Sequence, residues 1–123
     1  MTSGDSRSEL ATLARRLAEF ARDRDWDQFH SPKNLAMALA GEAGELLEHY
    51  QWLTEAQSSE LPAETRDAVA LEMADVLLYL VRLADKSGID LLGAAHRKIA
   101  LNALKYPVAE FRGSPRKYDA TRD

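Results

Sequence analysis

Residues 32–53 read PKNLAMALAGEAGELLEHYQWL, and this stretch decides the fold. Leu35, Leu39, Glu42 and Leu46 follow one another at steps of four, three and four, the repeat of a single helix face. Ser31 and Pro32 precede them as an N-cap with Pro at the first helical position. The spacing predicts a helix from Pro32 to about Leu53. Its apolar stripe passes through a carboxylate, Glu42, and that placement needs a chemical explanation.

Working outward, Leu10, Leu13, Leu17 and Phe20 give the same period from about Ser8 to Arg24, which predicts a first helix. Between the two helices, residues 25–30 (Asp-Trp-Asp-Gln-Phe-His) lose the period and read as a loop. Downstream, Thr54 to Leu61 reads as a polar link, and Pro62 opens a third helix carrying Val69, Met73, Val76, Leu80 and Leu83. Ser87-Gly88 supplies a left-handed stop. Asp90 caps a fourth helix, which ends at Tyr106-Pro107. The expectation is an all-α, antiparallel four-helix bundle, with faces that a second copy of the chain can complete. Residues 1–7 read as a flexible lead-in, 8–107 as one domain, and 108–123 as a flexible basic tail.

Composition agrees with helices. Hydrophobic residues make up 46% of the 123 residues and charged ones 29%, with only 6 Gly and 4 Pro to interrupt them. The formal net charge of −4 argues against a general nucleic-acid binder, which needs a clustered positive field. There is no Cys, so thiolate metal sites and disulfides are excluded, and a reducing cytoplasm is expected. The polar start, Met1 to Ser6, lacks the pattern of an export signal. The apolar run Val76–Leu83 is far short of the ~20 residues that span a bilayer, so no membrane partner is expected.

The chemistry lies in two carboxylate pairs, Glu42 with Glu45 and Glu72 with Asp75. Residues three apart sit on neighbouring turns of one helix face, roughly 5–6 Å apart at Cβ, so each pair can reach one ion. Carboxylates beside an apolar stripe need a counter-charge. No Lys or Arg lies within a turn of Glu42 or Glu45, and Arg82 is two turns from Asp75. Four oxygen donors without sulfur select a hard divalent cation, Mg²⁺, for which Mn²⁺ can substitute. A di-iron centre would require Glu followed three residues later by His, which neither segment contains. Glu48, one turn beyond Glu45, is a further candidate for taking a proton from water.

Tyr79 stands one turn beyond Asp75, and Trp52 falls near the expected end of the second helix; both offer faces on which a planar base can stack. Trp26 and Phe29, with His30 beside them, form a candidate lid or base clamp. Lys98, Asn102 and Lys105 recur at helical spacing, where charges and an amide can meet a triphosphate, with Arg116 or Lys117 assisting.

With these residues in view, the chain resembles the MazG-like all-α nucleoside triphosphate pyrophosphohydrolases, and within them the dCTP-cleaving branch. The family signature, Glu-x-x-Glu and then Glu-x-x-Asp, is met by Glu42, Glu45, Glu72 and Asp75. The flanking text is similar as well: Arg24 to His30, Gly41 to Leu46, Tyr50-Gln51-Trp52, Asp75 to Leu80, Asn102 and Lys105-Tyr106-Pro107, over about residues 10–118. The resemblance implies that the four carboxylates hold Mg²⁺ as the catalytic centre. It implies that Trp26, Asp27, Gln28, Phe29, His30, Trp52 and Tyr79 surround base and sugar, that Asn102 and Tyr106 complete the nucleotide site, and that the protein is a homotetramer. The implied reaction is hydrolysis of dCTP or a modified dCTP to monophosphate and pyrophosphate. Leu17 departs from the pattern, because animal members carry a His there that lines the nucleotide site; an aliphatic residue at this position loosens the choice of base. Two rival readings stay open: a broader house-cleaning enzyme of the same chemistry, and a non-enzymatic helical interaction module that binds a metal structurally.

Overall fold

A computed structural model describes residues 6–116, with side chains from Glu9 onward. The lead-in before Ser6, and Lys117 with the rest of the expected tail, lie outside the described residues. Among the described residues there are six α-helices, one 3-10 turn (Asp27–Phe29) and no strand: α1 (Ser6–Asp23), α2 (Pro32–Glu48), α3 (Glu55–Ser58), α4 (Ala63–Ser87), α5 (Leu91–Lys105) and α6 (Val108–Phe111). The protein is all-α, as its apolar periods require. Its contacts divide it into two compact units at Ile89 and Asp90.

In the first unit α2 packs principally on α4, and α1 packs on α4 as well. The buried core residues of this unit are few: Ala21, Leu35, Val69, Val81 and Ala84. Leu35 precedes Glu42 by seven residues and Val69 precedes Glu72 by three. The core residues and the carboxylates therefore share the facing sides of α2 and α4. Burial of the stripe is what brings the two acidic pairs together.

Local signals account for the helix ends. At α2 the Asn34 N–H donates to Ser31 Oγ at 3.1 Å, satisfying one of the free donors of the first turn. α2 stops at Glu48, short of the expected Leu53. The N–H groups of Tyr50 and Gln51 both return to the Leu47 carbonyl, and Thr54 takes extended backbone (φ −72, ψ 165) to open a new helix. That helix, α3, occupies the stretch expected to be a simple link. Its capping box is complete: Gln57 N–H donates to Thr54 Oγ1 at 3.1 Å and Thr54 N–H donates to Gln57 Oε1 at 2.9 Å.

α4 ends where Ser87-Gly88 directs. Gly88 has φ 65, its N–H meets the Asp85 carbonyl, and the Ile89 N–H meets Ala84 at 2.9 Å. A Cβ at Gly88 would touch nothing within 4 Å, so only backbone strain opposes a side chain there. Gly88→Ala is expected to cost about 1–2 kcal/mol without changing the helical content. Urea unfolding of the variant checks this, and a cost near zero would show that the left-handed cap carries no strain.

In the second unit, Gly93 N–H donates to Asp90 Oδ1 at 3.0 Å, confirming the cap of α5. At the start of the expected flexible basic tail, residues 108–111 form α6 and Phe111 is buried. Tyr106 packs edge-on against Phe111 at 4.8 Å, and the Arg116 guanidinium lies 4.8 Å over the same ring. One aromatic without a helical period is enough to order this segment, a signal that periodicity alone does not register.

Candidate active site

Glu42 and Glu45 project from α2 and Glu72 from α4, and each offers an oxygen within 4.8 Å of the others. Glu42 Oε2 and Glu72 Oε2 are buried and have no hydrogen-bond partner. Buried acceptors without a donor are costly, so this arrangement requires either protons or a cation. The carboxyl of Glu72, close enough to share a proton with Glu42, combines with burial and with Glu45 to push Glu42 up to about 7. Burial, with the charges of Glu45 and Asp75, raises Glu72 as well. Three hard oxygen donors, two of them aimed at one another without partners, fit a divalent cation.

Asp75 is the fourth carboxylate of the motif. Its oxygens fall outside the tight group of three, yet its charge raises both Glu42 and Glu72. It also lines a cavity of about 560 Å³ within the first unit. Asp75 thus links the acidic cluster to that cavity.

Trp26, His30 and Tyr79 line the cavity, as does Leu17. The approach to Trp26 is set by Asp25, which stands at φ 56 in a position that usually favours Gly. The Trp26 N–H then returns to the Ala21 carbonyl at 2.8 Å, and the indole meets Phe20 edge-on at 5.7 Å. Asn34 Nδ2 donates to the Phe29 carbonyl at 3.0 Å, tying the loop to the start of α2.

The other candidates are placed elsewhere. Gln28 Nε2 donates to the Asp25 carbonyl and to Asp25 Oδ2, both at 3.0 Å, so its amide braces the turn. Asp27 pairs with Arg82 at 2.6 Å and Lys86 at 3.2 Å, which hold its carboxyl below the usual range. Phe29 is exposed, and Trp52, expected on α2, sits beyond its end and is 86% exposed. Neither lines the cavity. Glu48 is exposed at the end of α2, outside the cluster. Lys98, Asn102 and Lys105 share one face of α5 in the second unit, and Arg116 pairs with Glu110 at 3.8 Å.

Residue-by-residue reading missed Arg16, Phe20 and Arg82 in the cavity wall. A signal for Arg82 was present, since Asp75, Tyr79 and Arg82 stand at i, i+4 and i+7 on α4.

The Glu42 shift has a consequence for stability. Between its ordinary value near 4.5 and about 7, the folded chain holds a proton that the unfolded chain releases. This contribution is fully present below about 4.5 and is lost as pH rises through 7. Calorimetry in EDTA is expected to give a lower Tm at pH about 7.5 than at about 5.5, with Mg²⁺ reversing the fall at the higher pH. Glu42→Gln should flatten the profile, and an unchanged slope in that variant would assign the effect to other groups.

Fold and site together define an all-α protein with a carboxylate cluster beside an aromatic-lined cavity. The MazG-like family matches residues 38–120, and the chain belongs to that family. It is 47% identical over 111 residues to dCTP pyrophosphatase 1 of Mus musculus, a match covering 89% of this chain and 65% of that protein. With dCTP pyrophosphatase 1 of Bos taurus it shares 43% over 118 residues, covering 94% and 70%. The chain thus spans about two thirds of the length of these relatives. A solved pyrophosphatase from Archaeoglobus fulgidus superposes with TM-score 0.76 at 38% identity, covering 80% of this chain and 93% of that one.

Proposed function

We propose that this protein is a Mg²⁺-dependent nucleoside triphosphate pyrophosphohydrolase that cleaves dCTP, or a modified dCTP, to the monophosphate and pyrophosphate. The observation that carries the reading is Asp75, which belongs both to the acidic motif and to the cavity wall. A nucleotide whose base and sugar occupy the cavity has its phosphates directed to the carboxylates. The relatives named dCTP pyrophosphatase 1 support the same substrate.

Glu42, Glu45 and Glu72, with Asp75 at the cavity side, would hold the cation. A cation held by these carboxylates would supply neutralisation of phosphate charge and a more acidic water. Trp26 and Tyr79 offer ring faces to the base, and the aliphatic Leu17 closes the cavity without a polar contact. Arg16 supplies positive charge at the wall for a phosphate, and the apolar lining limits water around the ligand. The net charge of −4 is compatible with an anionic substrate because the cation reverses the local sign. The second unit carries Lys98, Asn102, Lys105 and Tyr106, groups of the kind that phosphate and sugar contacts recruit.

A homotetramer belongs to the proposal. Among the described residues Leu71, Leu104 and Val108 are each more than 70% exposed, a display of apolar surface that a second copy can cover. Among the described residues no helix is long and apolar enough to cross a membrane, and a cytoplasmic location belongs to the proposal. The deciding assay is pyrophosphate release from dCTP, dUTP, dTTP, dATP, dGTP and CTP with Mg²⁺ and with EDTA. Cation-dependent turnover led by dCTP is expected. Equal turnover of several triphosphates would favour the broader enzyme, as the aliphatic Leu17 allows. A folded, metal-binding protein without turnover would favour the interaction module.

A further inference from the structure

Arg82 is 4% exposed and is the buried charged residue of the described chain. Its Nη2 donates to Asp27 Oδ1 at 2.6 Å, and its Nη1 lies 3.5 Å from Asp85 Oδ2. Its Nε donates to His30 Nδ1 at 3.2 Å. Lys86 donates to the same Asp27 Oδ1 at 3.2 Å, so two cations hold the carboxylate beside the guanidinium.

A guanidinium is always protonated and only donates. The His30 Nδ1 that receives its N–H must therefore present a lone pair, and a neutral imidazole then carries its hydrogen on Nε2. A second proton on the ring would set N–H against N–H. Burial, with the charge of Arg82, holds His30 below its ordinary value. His30 lines the cavity with Trp26 and Tyr79, and its Nδ1 is already engaged. The polar group it can offer an occupant is an N–H donor.

We propose that Arg82 is a positioning residue for base choice: by engaging Nδ1 it fixes His30 as an Nε2–H donor to the cavity. Such a donor selects a pyrimidine that presents an acceptor, as cytosine does at N3, over one that presents N–H there, as uracil and thymine do. The mismatched base leaves two donors facing each other without partners, the situation that gives polar sites their discrimination. The inference rests on reading the cavity as a base pocket.

The test pairs spectroscopy with kinetics. In ¹⁵N-labelled wild type, long-range ¹H–¹⁵N spectra are expected to show His30 unprotonated at Nδ1 and protonated at Nε2. In Arg82→Gln, shown to be folded by circular dichroism, that tautomer should no longer be fixed. The KM for dCTP should rise about tenfold, and the preference for dCTP over dUTP should fall by a similar factor, with a smaller change in kcat. A purely structural role would instead lower kcat for every triphosphate alike and leave the ratio unmoved. Hydrogen on Nδ1 in the wild type, or an unchanged ratio in a folded Arg82→Gln, overturns the proposal. If the wild type turns over no triphosphate, the activity reading fails by itself. The His30 spectrum and the relative dissociation constants of dCMP and dUMP then decide the role of Arg82.

Discussion

Glu45→Gln loses more than about 100-fold in kcat/KM for dCTP, because even the outer partners of metal ligands are worth 10–100-fold and Glu45 stands in the cluster itself. Its effect on stability runs the other way. Glu45 raises both Glu42 and Glu72, so in the metal-free protein it is a source of like-charge repulsion. In EDTA the variant should melt no lower than the wild type, while the rise in Tm on adding Mg²⁺ should shrink or vanish. Steady-state pyrophosphate release and calorimetry with and without the ion measure the two halves. A variant that unfolds easily yet retains turnover would make Glu45 a structural carboxylate and remove it from the catalytic centre.

Leu35→Ala should cost about 2–5 kcal/mol, the range for emptying a packed aliphatic site. Leu35 is 1% exposed, on a chain whose buried core is small, so little else compensates for the loss. The variant also tests how the site is built. Leu35 lies two turns before Glu42 on the face where α2 meets α4, so a cavity there frees the two acidic pairs to drift apart. A weaker response of Tm to Mg²⁺ should accompany the lower urea midpoint. A cost below about 1 kcal/mol would mean that α2 and α4 are held by other contacts.

The exposed Trp52 and the occupied Asp27 and Gln28 show where pattern reading stops. Residues 26–30 stood out because two aromatics and a His are unusual in a link, and Trp26 and His30 do line the cavity. Their neighbours Asp27 and Gln28 are used to hold the turn, through Arg82, Lys86 and Asp25. Adjacent loop residues face different ways, and no period records which way each one turns. Trp52 is a base-stacking candidate by its aromatic face and by the resemblance, and α2 stops at Glu48, before reaching it.

The sequence by itself determined the four long helices, most of their caps and the four carboxylates, because a helix repeat and a three-residue acidic spacing are local properties of the chain. It also raised the expectation of a cation, since Glu42 sits in an apolar stripe with no base nearby. Only the tertiary structure decided that Glu42, Glu45 and Glu72 converge while Asp75 turns to the cavity. Only it decided that Arg82 crosses 52 residues of sequence to meet His30. Such pairings depend on how α1 and α2 pack on α4, and packing is set by the combined burial of several helix faces, which no single stretch of sequence contains.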